Sequence, residues 1–263
     1  EVYDILAILP WHGAMCGFDN PEPTYKLATY ITPHAWLSDV HEDQMLELLQ
    51  QDIVSHRAHI ELENLNFMTK MKRAYHDQSH YMSHREFLRL RGVGSALAEG
   101  RQRAVGMVVH VMDCHWVALA IDFVRSEILY GDPKGWAPDT EVMEAAQWWA
   151  SHHGQKPFTF QHLESSHQQD NHNCGLLTFN SLAQFCLPDK YPLLDIQKLD
   201  DERLAMMLRV ARHHLDAAEV SNCSNTDQFS YAYYLTGFCH HLRQIFIHLH
   251  STCVRDHASG GEG

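Results

Sequence analysis

Residues 115–132, HWVALAIDFVRSEILYGD, form the segment from which the fold can be inferred most directly. Within it, residues 116–121 and 128–130 are short apolar runs with the composition of β-strands. The turn between them predicts a hairpin. A hairpin brings the start of one strand beside the end of the next. His115 and Asp132 are therefore expected to meet at one end of a sheet.

Further predicted elements flank this hairpin on both sides. The apolar patterns predict helices over 40–53, 142–150, 175–185, 200–218 and 229–249, a short helix over 85–90, and strands over 105–111 and 158–160. Either Ser38 or Asp39 can cap the first of these helices. Helices around a short central sheet, mixed or antiparallel, predict an α+β domain. Residues 1–29 have no assignable structure.

Composition and charge exclude several classes of protein. The chain has 263 residues, is 45% hydrophobic and carries a formal net charge of −13. It is too apolar for a disordered chain and too acidic for a protein that grips nucleic-acid phosphates. No apolar run approaches the length of a membrane span. We therefore expect neither nucleic acid nor membrane as a partner.

The seven cysteines and 22 histidines raise the questions of disulfides and metals. An odd cysteine count without a C-x-x-C pair favours reduced thiols in an intracellular protein, nuclear or cytoplasmic. The histidines suggest a structural metalloprotein as one alternative. However, adjacent pairs such as His213-His214 diverge on a helix, and no zinc-finger or H-E-x-x-H spacing is present. We expect no metal and no cofactor.

Cys174 is the candidate nucleophile. It follows the polar stretch of residues 165–173 and opens an apolar helix. The unpaired N–H groups and positive dipole of a helix N-terminus stabilise a thiolate. The N–H of Cys174 itself can face an oxyanion, and Gly175 permits close approach of a substrate.

A thiol nucleophile needs an imidazole base and a group that orients it. His167 and His172 are near Cys174 in sequence, but His115 begins a strand, where a rigid element can aim it. Asp122 lies seven residues along the same strand, about 23 Å away at the usual rise per residue, and cannot reach His115. Asp132, at the end of the next strand, can.

At these residues the sequence resembles the ubiquitin-like-protein-specific cysteine proteases, the SUMO-deconjugating family. Three blocks in matching order carry the resemblance over roughly residues 30–216. They are WLSD at 36–39 before a helix, His115-Trp116 with Asp132 after an interval of 17 residues, and Gln168 six residues before Cys174-Gly175.

The resemblance implies a papain-like fold and a role for each matched residue. Cys174 would attack the scissile carbonyl, His115 would act as base and then acid, and Asp132 would orient the imidazole. Gln168 would donate a hydrogen bond to the oxyanion. The implied activity is thiol proteolysis after the C-terminal Gly-Gly of a ubiquitin-like modifier, with SUMO-like modifiers favoured.

The same resemblance implies how the substrate binds. Trp36 and Trp116 would form a narrow tunnel that admits only glycine, although either indole could instead belong to the core. Asp39 would contact a basic residue of the modifier, or only cap its helix. Residues 30–216 would form the catalytic domain, and residues 217–263 a helical extension with a loose tail.

The sequence departs from the family pattern at three positions near the matched residues. Asn173 precedes the nucleophile where aspartate is frequent, His172 stands where small residues are usual, and Pro133 follows Asp132. These departures leave the identity of the modifier open. Two other functions remain as alternatives. One is an acyltransferase on the same triad, and the other is a module that binds a ubiquitin-like protein without catalysis.

Overall fold

A computed structural model of the chain describes residues 2–221. Its centre is a five-stranded mixed sheet with the strands in sequence order. The strands are β1 Ile60–Glu63, β2 Ala104–Val111, β3 His115–Asp122, β4 Glu127–Gly131 and β5 Thr159–His162. The inner pairs β2–β3 and β3–β4 are antiparallel, and the outer pairs are parallel.

Eight α-helices surround this sheet within the described part of the chain. They are α1 Val2–Ile8, α2 Ala28–Ile31, α3 Asp39–Ser55, α4 Asn66–His76, α5 Leu88–Ala98, α6 Thr140–His153, α7 Cys174–Cys186 and α8 Leu199–Ser221. The predicted α+β class, with helices around a short mixed sheet, is confirmed. The chain divides into two units, Glu1–Leu215 and Asp216–Gly263, and the sheet belongs to the first.

The sheet separates two hydrophobic layers. Along β3, successive side chains alternate between the faces of the sheet. Trp116, Ala118 and Ala120 pack in the layer that contains α3 and α7. Val117 and Leu119 face the other layer, which contains α4, α5 and α6. Burial on both faces explains why this strand is a continuous apolar run.

The predicted hairpin forms, and its register positions the two residues of interest. Ala118 pairs with Gly131 across β3 and β4. His115 lies three residues before Ala118, and Asp132 directly follows Gly131. Both side chains therefore lie at the same end of the sheet.

Several elements differ from the sequence-based expectations. The polar region of residues 55–104 contains β1, α4 and α5, where only a short helix over 85–90 was expected. Within residues 1–29, apolar side chains such as Leu9 and Leu27 pack in the hydrophobic layer that contains α3 and α7. Ser38 caps α3, with its N–H donating to His41 Nδ1 at 3.1 Å, and Asp39 is the first helical residue. The helix predicted over 229–249 and the loose tail lie outside the described residues.

Candidate active site

A buried hydrogen bond joins His115 to Asp132. The distance from His115 Nε2 to Asp132 Oδ1 is 2.8 Å, and the two residues are 3% and 6% exposed. Because a carboxylate only accepts, Nε2 carries the proton of this bond. In the neutral imidazole, Nδ1 is then left as the acceptor, which is the state required of a base.

The turn after Asp132 supports the same carboxylate. The N–H of Lys134 donates to Asp132 Oδ1 at 2.7 Å, and the N–H of Gly135 donates to the Asp132 carbonyl at 2.9 Å. Gly135 has φ +68°, in the left-handed region that favours glycine. This turn fixes the carboxylate against the imidazole and also carries Trp136.

Cys174 is the first residue of α7, and its thiol lies against the start of β3. The backbone N–H groups of Trp116, Gly175 and Cys174 interact with the sulfur. The hydroxyl of Thr178, one turn along α7, donates to the Trp116 carbonyl at 2.8 Å. The thiol therefore lies next to the backbone of Trp116, the residue that follows His115.

Burial governs the acidity of this thiol. Cys174 is 3% exposed, and burial raises the pKa of its thiol above the ordinary value. The N–H of Trp116 acts in the opposite direction, because it stabilises a thiolate. The N–H groups at the start of α7 also stabilise the thiolate, as the sequence predicts, but desolvation has the larger effect on the pKa. The neutral thiol needs a base to become a nucleophile.

Gln168 is attached to the loop that follows Asp132. Its N–H donates to the Pro133 carbonyl at 2.7 Å, and its Nε2 donates to Asp170 Oδ1 at 3.0 Å. The side chain is buried, and Oε1 has no hydrogen-bond partner among the described residues. The amide has two N–H groups, and the bond to Asp170 uses one of them.

Asp170 organises the loop before Cys174, although its sequence context did not single it out. Besides the Gln168 amide, Asp170 accepts hydrogen bonds from the backbone N–H groups of His172 and Asn173, and from the Asn173 side chain. Burial raises the pKa of Asp170, but these bonds prevail and hold it well below its usual range. The loop is therefore built around a carboxylate.

Arg203 of α8 holds the other side of this loop. The Asn173 amide oxygen accepts from Arg203 Nη1 at 3.0 Å, and the same guanidinium donates to the carbonyls of Tyr30, Thr29 and Ala35. Arg203 is only 3% exposed. Asn173, a departure from the family pattern, is thus part of a buried polar network.

Glu42 is a buried carboxyl group close to Cys174 and Gly175. It is fully buried, and neither carboxyl oxygen has a hydrogen-bond partner in the described structure. A Cβ on Gly175 would clash with Glu42 Oε1, so the glycine makes room for this side chain. Burial raises the pKa of Glu42 well above its ordinary value.

The two tryptophans that were predicted to line the tunnel differ in how deeply they are buried. Trp116 is 7% exposed and its indole N–H donates to the Leu37 carbonyl at 3.0 Å, whereas Trp36 is 50% exposed. The residue after Trp36 is therefore joined to Trp116. Asp39 is exposed and lies with Trp116 along a groove of about 390 Å³.

Solved structures share this architecture. The chain superimposes on the C-terminal Ulp1 protease domain in complex with Smt3, the yeast ortholog of SUMO, with a TM-score of 0.60 and 18% identity, over 81% of this chain and 93% of that one. The chain has the fold of the Ulp1 SUMO proteases. This confirms the papain-like architecture that the sequence resemblance implied.

Two further structures agree with the Ulp1 fold. The Ulp1-like SUMO protease catalytic domain of Chaetomium thermophilum matches with a TM-score of 0.56 and 13% identity, over 82% of this chain and 88% of that one. A de-sumoylating protease matches with a TM-score of 0.58 and 12% identity, over 81% and 95%. No protein-family profile matches the sequence, and no curated protein matches it either.

Residues 2–221 contain neither a metal cluster nor a membrane span. In that part of the chain, no group of three or more His, Cys, Asp or Glu side chains is arranged to hold a metal ion. None of the described helices is both long enough and apolar enough to cross a membrane.

Proposed function

We propose that the chain is a thiol protease that cleaves after the C-terminal Gly-Gly of a ubiquitin-like modifier, with SUMO-like modifiers favoured. One observation carries the proposal. The Cys174 thiol lies at the backbone N–H of Trp116, directly after the residue whose imidazole is hydrogen-bonded to Asp132. On this fold, a nucleophile, a base and an orienting carboxylate converge at one end of the sheet.

The proposed chemistry follows from the proton positions. His115 Nδ1 takes the proton of the Cys174 thiol, and the thiolate attacks the carbonyl of the terminal glycine. The C–N bond then breaks, and His115 gives its proton to the departing amine, leaving a thioester on Cys174. Water, deprotonated by the same imidazole, attacks the thioester and releases the modifier with a free carboxylate.

The oxyanion formed in each addition step needs hydrogen-bond donors. The N–H of Cys174, at the start of α7, is one proposed donor. The second is the remaining N–H of the Gln168 side chain amide. The bonds from Gln168 to Pro133 and Asp170 support this role, because they hold the amide beside the loop that enters α7.

The substrate tail is proposed to pass between Trp36 and Trp116. The bond from the Trp116 indole to the Leu37 carbonyl supports this, because it draws the segment bearing Trp36 toward Trp116. Only glycine lacks a side chain that would clash between two indoles. Asp39, exposed along the adjoining groove, is proposed to contact a basic residue of the modifier.

Covalent labelling tests the proposal. SUMO and ubiquitin, each carrying a C-terminal electrophile in place of the glycine carboxylate, are incubated with the chain and with its Cys174→Ala variant. We expect the parent chain to form a covalent adduct, with SUMO labelling faster than ubiquitin. The Cys174→Ala variant should form none, because the attacking sulfur is missing.

Cys114→Ala is the matched control. Cys114 is an exposed thiol directly before His115, so it tests whether an accessible cysteine is labelled without catalysis. Its replacement should leave the adduct intact. Folded parent protein that reacts with neither modifier, or labelling that persists in Cys174→Ala, would overturn the proposal.

A further inference from the structure

Trp136 lies directly against the proposed base. The centroids of the Trp136 indole and the His115 imidazole are 4.9 Å apart, with their planes inclined at 50°. The indole is nevertheless 48% exposed. The indole therefore offers a partly exposed apolar surface directly beside His115.

The loop that carries Trp136 is held in place at several points. The turn from Asp132 to Gly135 is closed by hydrogen bonds to the Asp132 carboxylate and carbonyl. The Lys134 ammonium donates to the Asp170 carbonyl and, at 3.1 Å, to the Asn171 side chain. The indole is therefore presented by a fixed turn, not by a loose loop.

The chemistry of the proposed reaction places the departing amine next to this indole. His115 must deliver its proton to that amine, so the nitrogen comes within hydrogen-bond reach of the imidazole, about 3 Å. The carbon chain attached to the nitrogen then extends past the imidazole ring. The exposed indole is the apolar surface in contact with that ring.

We infer that Trp136 is a specificity-determining residue that contacts the leaving group, which is the lysine side chain of the modified protein. The inference rests on the proposed function. The lysine methylenes would pack on the indole, since long cationic side chains bury their stems on apolar surfaces. The ammonium released after cleavage is attracted to the ring face. The site would thus favour lysine-linked conjugates over smaller leaving groups.

Two substrates that share one modifier test this role. In the first, SUMO is joined through its terminal glycine to the lysine ε-amine of a short peptide. In the second, the same glycine carries a methylamide. Both leaving groups are alkyl amines with the same need for a proton, but only the first has a lysine stem. A substitution that changes modifier binding or His115 alters kcat/KM for both substrates equally. The ratio of the two kcat/KM values therefore reports only on the lysine stem.

In Trp136→Ala, the preference for the lysine-linked substrate should fall about three- to tenfold relative to the parent, because the lysine methylenes lose the apolar surface on which they pack. Trp136→Phe keeps an aromatic ring and should stay within about twofold of the parent. Trp136→Gln, which replaces the apolar ring with a polar amide, offers the same comparison if the alanine variant does not fold. Phe160→Ala, which removes another half-exposed aromatic side chain on β5, should leave the preference unchanged.

An equal loss on both substrates would show that Trp136 only supports His115, and would overturn the inference. An unchanged kcat/KM on both would overturn it as well. Failure of the proposed function appears differently, because the parent chain itself would then cleave neither SUMO substrate.

Discussion

His115 Nε2 lies 2.8 Å from Asp132 Oδ1, and both side chains are almost completely buried. The two residues are 17 positions apart in the chain, and the β3–β4 hairpin brings them together. Their contact, and the buried groups around it, give four expectations.

Asp132→Asn should lower kcat/KM on a SUMO substrate by roughly 10³–10⁴-fold, because an amide can hold the imidazole in the wrong tautomer. The measurement is cleavage of the SUMO–lysyl peptide with confirmed folding. Asp122→Asn is the matched control, since Asp122 is also buried but lies at the opposite end of β3. It should leave the rate within about twofold. A similar loss in both variants would contradict a specific role for Asp132.

Lys134→Met should lower kcat by about tenfold with little change in KM. The variant loses the charge-assisted bonds from Lys134 to the Asp170 carbonyl and the Asn171 side chain, so the loop before the nucleophile is less well held. Steady-state kinetics on the same substrate separate the two constants. Lys156→Met, at an exposed position, is the control and should match the parent. A selective rise in KM would instead place Lys134 in modifier binding.

Glu42→Gln should change how stability depends on pH. Burial raises the pKa of folded Glu42 above its unfolded value near 4.5. As the pH rises above 4.5, the unfolded chain releases this proton while the folded chain keeps it, so the parent loses stability. The glutamine variant has no such proton. The free energy of unfolding of the variant, measured with urea, should therefore rise relative to that of the parent as the pH increases from 4.5 toward the folded pKa.

Glu99→Gln is the control for the substitution itself, because it makes the same change at an exposed position just after α5. Parallel pH profiles for the parent and Glu42→Gln would show that Glu42 is ionised in the folded chain, which contradicts its unpartnered burial.

Arg203→Met should destabilise the fold by about 3 kcal/mol or more, because several buried oxygens lose their donor at once. These are the carbonyls of Thr29, Tyr30 and Ala35 and the Asn173 amide oxygen. Denaturant unfolding measures the loss. Arg203→Lys keeps the charge but not the planar fork, and should recover only part of it. Full recovery by lysine would mean that charge alone matters.

Elements with a local pattern could be predicted from the sequence. The strands β2, β3 and β4 are recognisable because both faces of the sheet are covered and their side chains are apolar. The helix α7 is recognisable because a polar stretch ends abruptly at Cys174. In contrast, α4 lies in a polar region, and its few buried apolar residues, Phe67, Met68 and Met71, share the helix with Lys70, Lys72 and Arg73.

Asp170, Lys134 and Arg203 could not be recognised in the same way. Lys134 and Arg203 contact atoms that are distant in sequence, many of them backbone carbonyls, which have no sequence signature. Asp170 accepts from groups within three residues, but two of these donors are backbone N–H groups, which no residue type identifies. Trp136 and Glu42 likewise look like an ordinary loop aromatic and an ordinary helical acid. Their significance depends on the neighbours that folding brings to them.

The hairpin, and with it the meeting of His115 and Asp132, is encoded in 18 consecutive residues, because two short apolar runs joined by a turn fix that contact locally. The surroundings of the pair depend on packing between elements that are far apart in the chain. Packing buries the Cys174 thiol at the start of β3 and places the Glu42 carboxyl group against Gly175. It also brings the Trp136 indole into contact with the His115 imidazole. Burial then sets the electrostatics of these groups, which no local pattern encodes.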